Sequence, residues 1–93
     1  MKNAQFSTDD VKRCCEKKLA IEFRSGKEFN GWFILDELKV ARITVPKGRK
    51  FIPKKTYQTM ALQLKLSVRQ FDELLACPLD RERYEEIVRA KLA

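Results

Sequence analysis

The sequence predicts an α+β fold: a small two-layer sandwich whose three-stranded antiparallel sheet is covered by helices, in the order α-β-β-β-α-α-α. Three observations point there. The apolar period is helical before residue 20, alternating from there to residue 45, and helical again from residue 57 onward. The alternating runs are separated only by short turns, which makes a meander and excludes parallel crossovers. The chain has 93 residues, 44% apolar and 35% charged, enough for one core and too few for two, so residues 1–93 are read as a single domain.

Each element follows from local chemistry. Ser7, followed by Thr8, Asp9 and Asp10, supplies a hydroxyl cap with acids in the first turn, and Val11, Cys14, Cys15 and Leu19 recur at helical spacing, so the first helix is placed at about 8–19. Ala20 to Arg24 reads as a strand with Ile21 and Phe23 on one face, ended by the turn signal Ser25-Gly26-Lys27. Glu28 to Asp36 is an aromatic and β-branched run: Phe29, Gly31, Phe33 and Leu35 share one face, and Asn30, Trp32 and Ile34 the other. Asp36 to Lys39 is read as the next turn. Val40 to Val45 alternates, with Ala41, Ile43 and Val45 inward and Arg42 and Thr44 outward, until Pro46 ends the strand.

A basic loop framed by Pro46 and Pro53 follows, with a short extended stretch expected at Phe51-Ile52. Thr56 is the expected cap of a helix carrying Tyr57, Met60, Ala61 and Leu64. Ser67 and Gln70 form a capping-box pair, with Leu66 and Phe71 in the staple positions around it, so one helix ends near Lys65 and another starts at Ser67. Pro78 stops that helix. Asp80 caps a last one, about 80–92, with Tyr84, Ile87, Val88 and Leu92 on its apolar face.

Composition narrows the function. Histidine is absent, which removes Ser-His and Cys-His nucleophilic pairs, the imidazole general base and every His-containing zinc site. Three cysteines without framework spacing read as reduced thiols of a cytoplasmic protein. No apolar run reaches the roughly 20 residues that span a bilayer, and Met1 to Asp10 lacks an apolar signal segment, so neither membrane nor secretion is expected. No catalytic residue, metal site or cofactor is assigned.

The charge is lopsided. Residues 1–37 carry seven basic and seven acidic side chains, and residues 72–93 four basic and six acidic. The whole net +7 therefore arises between Glu37 and Asp72, where nine basic residues occur without one acid: Lys39, Arg42, Lys47, Arg49, Lys50, Lys54, Lys55, Lys65 and Arg69. Such a block makes a local field suited to a polyanion, and these nine are the candidate nucleic-acid contacts, centred on Lys39–Lys55. Lysines and arginines on phosphates give position and affinity but little sequence information. Trp32 is a candidate for stacking on an unpaired base.

The stretch from Ala41 to Leu75 resembles the C-terminal two thirds of a HicA-type toxin. Arg42-Ile43-Thr44-Val45-Pro46 stands where that family ends its third strand, Lys54-Lys55-Thr56 where its basic loop enters a helix, and Lys65-Leu66-Ser67 with Phe71 to Leu75 at its helix joint. The resemblance in element order covers about residues 8–76, leaving the last helix as an addition. It implies a fold related to the double-stranded-RNA-binding domain, and RNA binding. It does not carry the family's RNA cleavage, because the turn Ser25-Gly26-Lys27-Glu28 lacks the histidine held responsible for it.

The sequence therefore favours non-catalytic binding of RNA, or of nucleic acid generally. Two alternatives stand beside it. One is a protein-interaction module with an acidic partner, including a salt-sensitive homodimer in which the acidic end (Asp72, Glu73, Asp80, Glu82, Glu85, Glu86) meets the basic block of a second copy. The other is a DNA-binding helix-turn-helix over Thr59 to Leu75, with Arg69 and Gln70 at the tip of the second helix. Lys65 would then occupy the turn position where glycine is usual, a left-handed conformation that disfavours long side chains.

Overall fold

A computed structural model describes residues 1–76 and 78–92. A short 3₁₀ turn (Asn3–Gln5) leads into α1 (Thr8–Leu19), β1 (Glu22–Ser25), β2 (Phe29–Leu35), β3 (Leu38–Val45), α2 (Lys54–Gln63), α3 (Val68–Leu75) and α4 (Arg81–Leu92). The strands form one antiparallel sheet in the order β1-β2-β3. This is the α+β arrangement that the sequence predicts.

The two faces of the sheet separate as the alternation requires. Gly31, Phe33 and Leu35 of β2 and Ala41, Ile43 and Val45 of β3 are buried, whereas Trp32, Ile34 and Arg42 are exposed. The helices cover the buried face. Phe33 meets the Tyr84 ring edge-on at 4.8 Å, which ties α4 to the centre of β2 and contributes about 0.5–1.5 kcal/mol beyond the area buried. Gly31 is needed where β1 crosses: a Cβ there would run into Ile21 Cγ2 and Phe23 Cδ1.

The helix ends are stabilised as their sequences dictate. Ser7 and Asp10 close a capping box on α1, and Ser67 and Gln70 close one on α3. Asp80 Oδ1 accepts from the Arg83 amide at the start of α4 (2.9 Å). Between α2 and α3 the chain reverses through Lys65, with φ +63°, while the Lys65 amide donates to Leu62 O and the Leu66 amide to Ala61 O, both at 2.9 Å. That pair of bonds is a Schellman motif with lysine in the left-handed position. The conformation argued to disfavour Lys65 is the one it adopts.

Several local expectations are corrected. Ala20 is the left-handed end of α1 (φ +53°), so β1 begins later, at Glu22. The β2–β3 turn is only Asp36-Glu37, both at positive φ, the signature of a type I′ hairpin, and Leu38 and Lys39 already belong to β3. Thr56 is no cap: α2 starts at Lys54 behind Pro53, without a side-chain cap. No strand forms at Phe51-Ile52; Ile52 enters the core and Phe51 is exposed. Leu92 is exposed rather than packed.

Contacts remote in sequence complete the scaffold. Asp72 is buried and accepts from the Tyr57 hydroxyl and the Lys2 amide, with the Met1 amino group 3.6 Å away. Burial pushes the Asp72 carboxyl up, but those donors outweigh it and hold the group below the usual carboxylate range. Lys18 Nζ donates to Leu74 O (2.8 Å), a carbonyl at the end of α3, and to Leu79 O (3.0 Å) in the segment that leads to α4. Cys15 is fully buried, and burial raises its thiol pKa, so it stays protonated.

Candidate nucleic-acid interface

The basic block divides into three groups in space. Lys39 and Arg42 stand on the uncovered face of the sheet. Their separation of three residues would put them on opposite faces of a regular strand. A register shift between Phe33 and Ile34 removes the conflict: Phe33 pairs with Ala41 and Ile34 with Lys39, leaving Val40 as an extra residue. Val40 packs toward the core, and Lys39 returns to the face of Arg42.

On that face Trp32 is the centre. It is 40% exposed, with Lys39 Nζ 5.4 Å and the Arg42 guanidinium carbon 5.9 Å from its ring centroid. Arg42 is held by Asn30, whose Oδ1 accepts from Arg42 Nη2 (3.0 Å) and from Thr44 Oγ1 (2.7 Å). With Arg24 and Glu22 from β1, the residues Asn30, Trp32, Lys39 and Arg42 line an open trough of about 590 Å³. Each exposed cation–π contact contributes about 0.5–1 kcal/mol. A base stacked on an aromatic ring contributes about 1–3 kcal/mol.

The second group surrounds the loop from Pro46 to Pro53. Lys47 Nζ donates to Ser25 Oγ (2.7 Å) and lies 4.8 Å from the centroid of the Phe29 ring, which Lys12 Nζ also approaches at 4.8 Å. Arg49 is fixed through its backbone: its carbonyl accepts from the Thr8 amide (2.9 Å) and hydroxyl (3.1 Å), and its amide donates to Thr8 Oγ1 (3.1 Å). The loop is thus tied to the start of α1, while the Arg49 and Lys50 residues stay exposed. It delivers Lys54 and Lys55 into the first turn of α2.

That helix end is unlike the other described ones. α1 and α4 carry acids in the first turn and α3 a closed capping box, whereas α2 has neither acid nor side-chain cap. Its unpaired amides and positive dipole end coincide with two lysines, an arrangement unfavourable by itself and favourable once an anion arrives.

The third group, Lys65 and Arg69, sits at the far end of α2, ten residues or about 15 Å along its axis. The structure does not bring it to the loop. In the helix-turn-helix alternative Gln70 has lost its acceptor: its Oε1 takes the Ser67 amide (2.9 Å), so a two-bond contact to adenine would break the capping box.

Among the described residues none of the nine block cations forms an ion pair. The acidic end bonds elsewhere: Glu85 with Arg81, Glu86 with Arg83, Asp72 with the amino terminus. Sequence reasoning missed Arg24 and Lys12, which lie outside the block but beside its members in space. Pairing of β1 with β2 was the only signal that would have found Arg24. Lys27 and Glu28, in the turn where HicA-type toxins have their histidine, are exposed and share no ion pair. No group of three His, Cys, Asp or Glu residues among those described is placed to hold a metal ion. No described helix is long and apolar enough to cross a membrane.

Compared with protein-family models, curated proteins and solved structures, the chain matches none of them.

Proposed function

We propose that the protein binds RNA, or nucleic acid generally, without cleaving it, and that Lys47, Arg49, Lys50, Lys54 and Lys55 supply the phosphate contacts. The observation that carries this reading is the absence of ion pairs on those cations among the described residues, where the acids that do form ion pairs (Asp10, Glu16, Asp36, Asp72, Glu85 and Glu86) pair with other groups. No ion pair within the described residues has to be broken for phosphates to approach; Lys47 alone exchanges a hydrogen bond to Ser25 for one to phosphate. The bare start of α2 supports it, because the amides there are oriented for an anion. The resemblance to HicA-type toxins enters for fold and RNA binding alone. A chain without histidine offers no imidazole for the family's cleavage chemistry. A reducing cytoplasm fits this reading, with the buried Cys15 as a thiol.

The test is binding to duplex RNA, single-stranded RNA and duplex DNA side by side, at about 50 and 200 mM salt. RNA binding that weakens steeply with salt is expected, and each phosphate-contacting lysine removed should lower the salt slope by about 1. Failure on all three nucleic acids, with capture of an acidic polypeptide instead, overturns the reading in favour of the interaction module.

A further inference from the structure

We propose that the uncovered sheet face is a binding site for single-stranded nucleic acid, distinct from the loop and α2 lysines, with Trp32 as the base-stacking platform. The inference deepens the reading above and rests on it. It is carried by the combination of an exposed indole with three cations to one carboxylate: Arg24, Lys39 and Arg42 against Glu22.

A flat aromatic ring at the centre of an antiparallel sheet suits an unpaired base, because every base has a π-face and the ring imposes no sequence requirement. A base-paired duplex keeps its bases stacked inside and has no use for such a ring. Backbone pairing places Glu22 opposite Trp32 on one side and Arg42 opposite it on the other. The strand's phosphates are therefore repelled on the β1 side at Glu22 and drawn toward Arg42 and Lys39. Arg42 is already oriented by Asn30, so little side-chain freedom is lost when it engages.

A second copy of this chain is the competing occupant, and the charges disfavour it. A symmetric face-to-face dimer would set Arg24, Lys39 and Arg42 against their own duplicates, a like-charge arrangement that costs affinity.

Trp32 is the only tryptophan in the chain, so its fluorescence reports the site directly. The probes are a labelled single-stranded oligouridylate of about eight nucleotides and an RNA duplex of about 16 base pairs. The single strand should quench Trp32 with the same Kd that anisotropy of the label gives. Trp32→Ala should weaken single-strand binding about 10-fold, equivalent to about 1.4 kcal/mol, while duplex binding stays within about twofold. Trp32→Phe should recover most of the loss. Glu22→Gln should tighten the single strand about two- to threefold by removing the trough's carboxylate. The Lys54→Ala/Lys55→Ala variant should weaken duplex binding while the single strand still quenches Trp32 fully at saturation. Saturable binding without quenching, or a Trp32→Ala variant that binds as well as the parent, overturns this proposal and spares the general reading. No binding of either RNA by the parent chain overturns both. Quenching that grows with protein concentration in the absence of RNA assigns the face to self-association instead.

Discussion

On one side of the sheet, Phe33, Ala41, Ile43 and Val45 are shut in by helices, and no described buried side-chain polar atom lacks a hydrogen-bond partner. On the other side, the residues that alternate with them (Trp32, Ile34, Arg42) are exposed. The same strands thus serve two environments one residue apart. Inside, apolar fit and satisfied polar groups decide stability. Outside, three cations cluster around a ring with one carboxylate nearby, and folding gains little from any of them. Side chains that contribute little to the fold are free to be kept for a ligand.

The contrast is broken or sharpened most by Phe33→Ala. Truncating that ring removes the Tyr84 contact and leaves a cavity, and should cost about 3–5 kcal/mol in denaturant unfolding. A cost below about 1 kcal/mol would mean the inner face is not the core described. Asp72→Asn comes next, at about 1.5–3 kcal/mol, because it weakens a buried acceptor serving Tyr57 and Lys2. The pH dependence follows from the depressed carboxyls. Asp72 and Asp10 (the latter lowered chiefly by the Ser7 amide) contribute stability above the unfolded carboxylate value of about 4, and this is lost as pH falls through their lower folded values. The parent chain should therefore destabilise steeply in acid, and Asp72→Asn should flatten that slope.

Smaller effects probe the exposed regions. Trp32→Ala should cost about 1–2 kcal/mol, the worth of its two cation–π contacts and well below the Phe33→Ala loss, despite removing the largest side chain on the sheet. A large loss there would erase the distinction between the faces. Glu37→Gly should raise stability by about 0.5–1 kcal/mol, or roughly 4 °C in Tm, since it relieves a positive φ of 67° in the hairpin turn.

The sequence made the first helix, the faces of β2 and the Leu66–Phe71 joint legible because each is encoded within a few residues: a capping box, an alternation, a staple. It hid features of two kinds. Ala20, Asp36, Glu37 and Lys65 take left-handed conformations without the glycine or asparagine that normally announces them, so strand ends and turn lengths were misplaced. Features that join distant segments had no local signature: the Asp72 cluster, the Thr8–Arg49 tie, and Lys12 beside Lys47 on Phe29. For the candidate site this meant that the chemistry of the nine cations was visible, while their division into three groups, and the place of Arg24 among them, was not.

Val40 has a consequence of its own. Deleting a residue from a regular strand turns everything on one side of the cut upside down. Val40 is supernumerary, so its removal would straighten β3 with the Phe33–Ala41 and Ile34–Lys39 pairs both intact. The hairpin thus holds slack of one residue, and a chain shorter by that residue would still present lysine and arginine to the same indole.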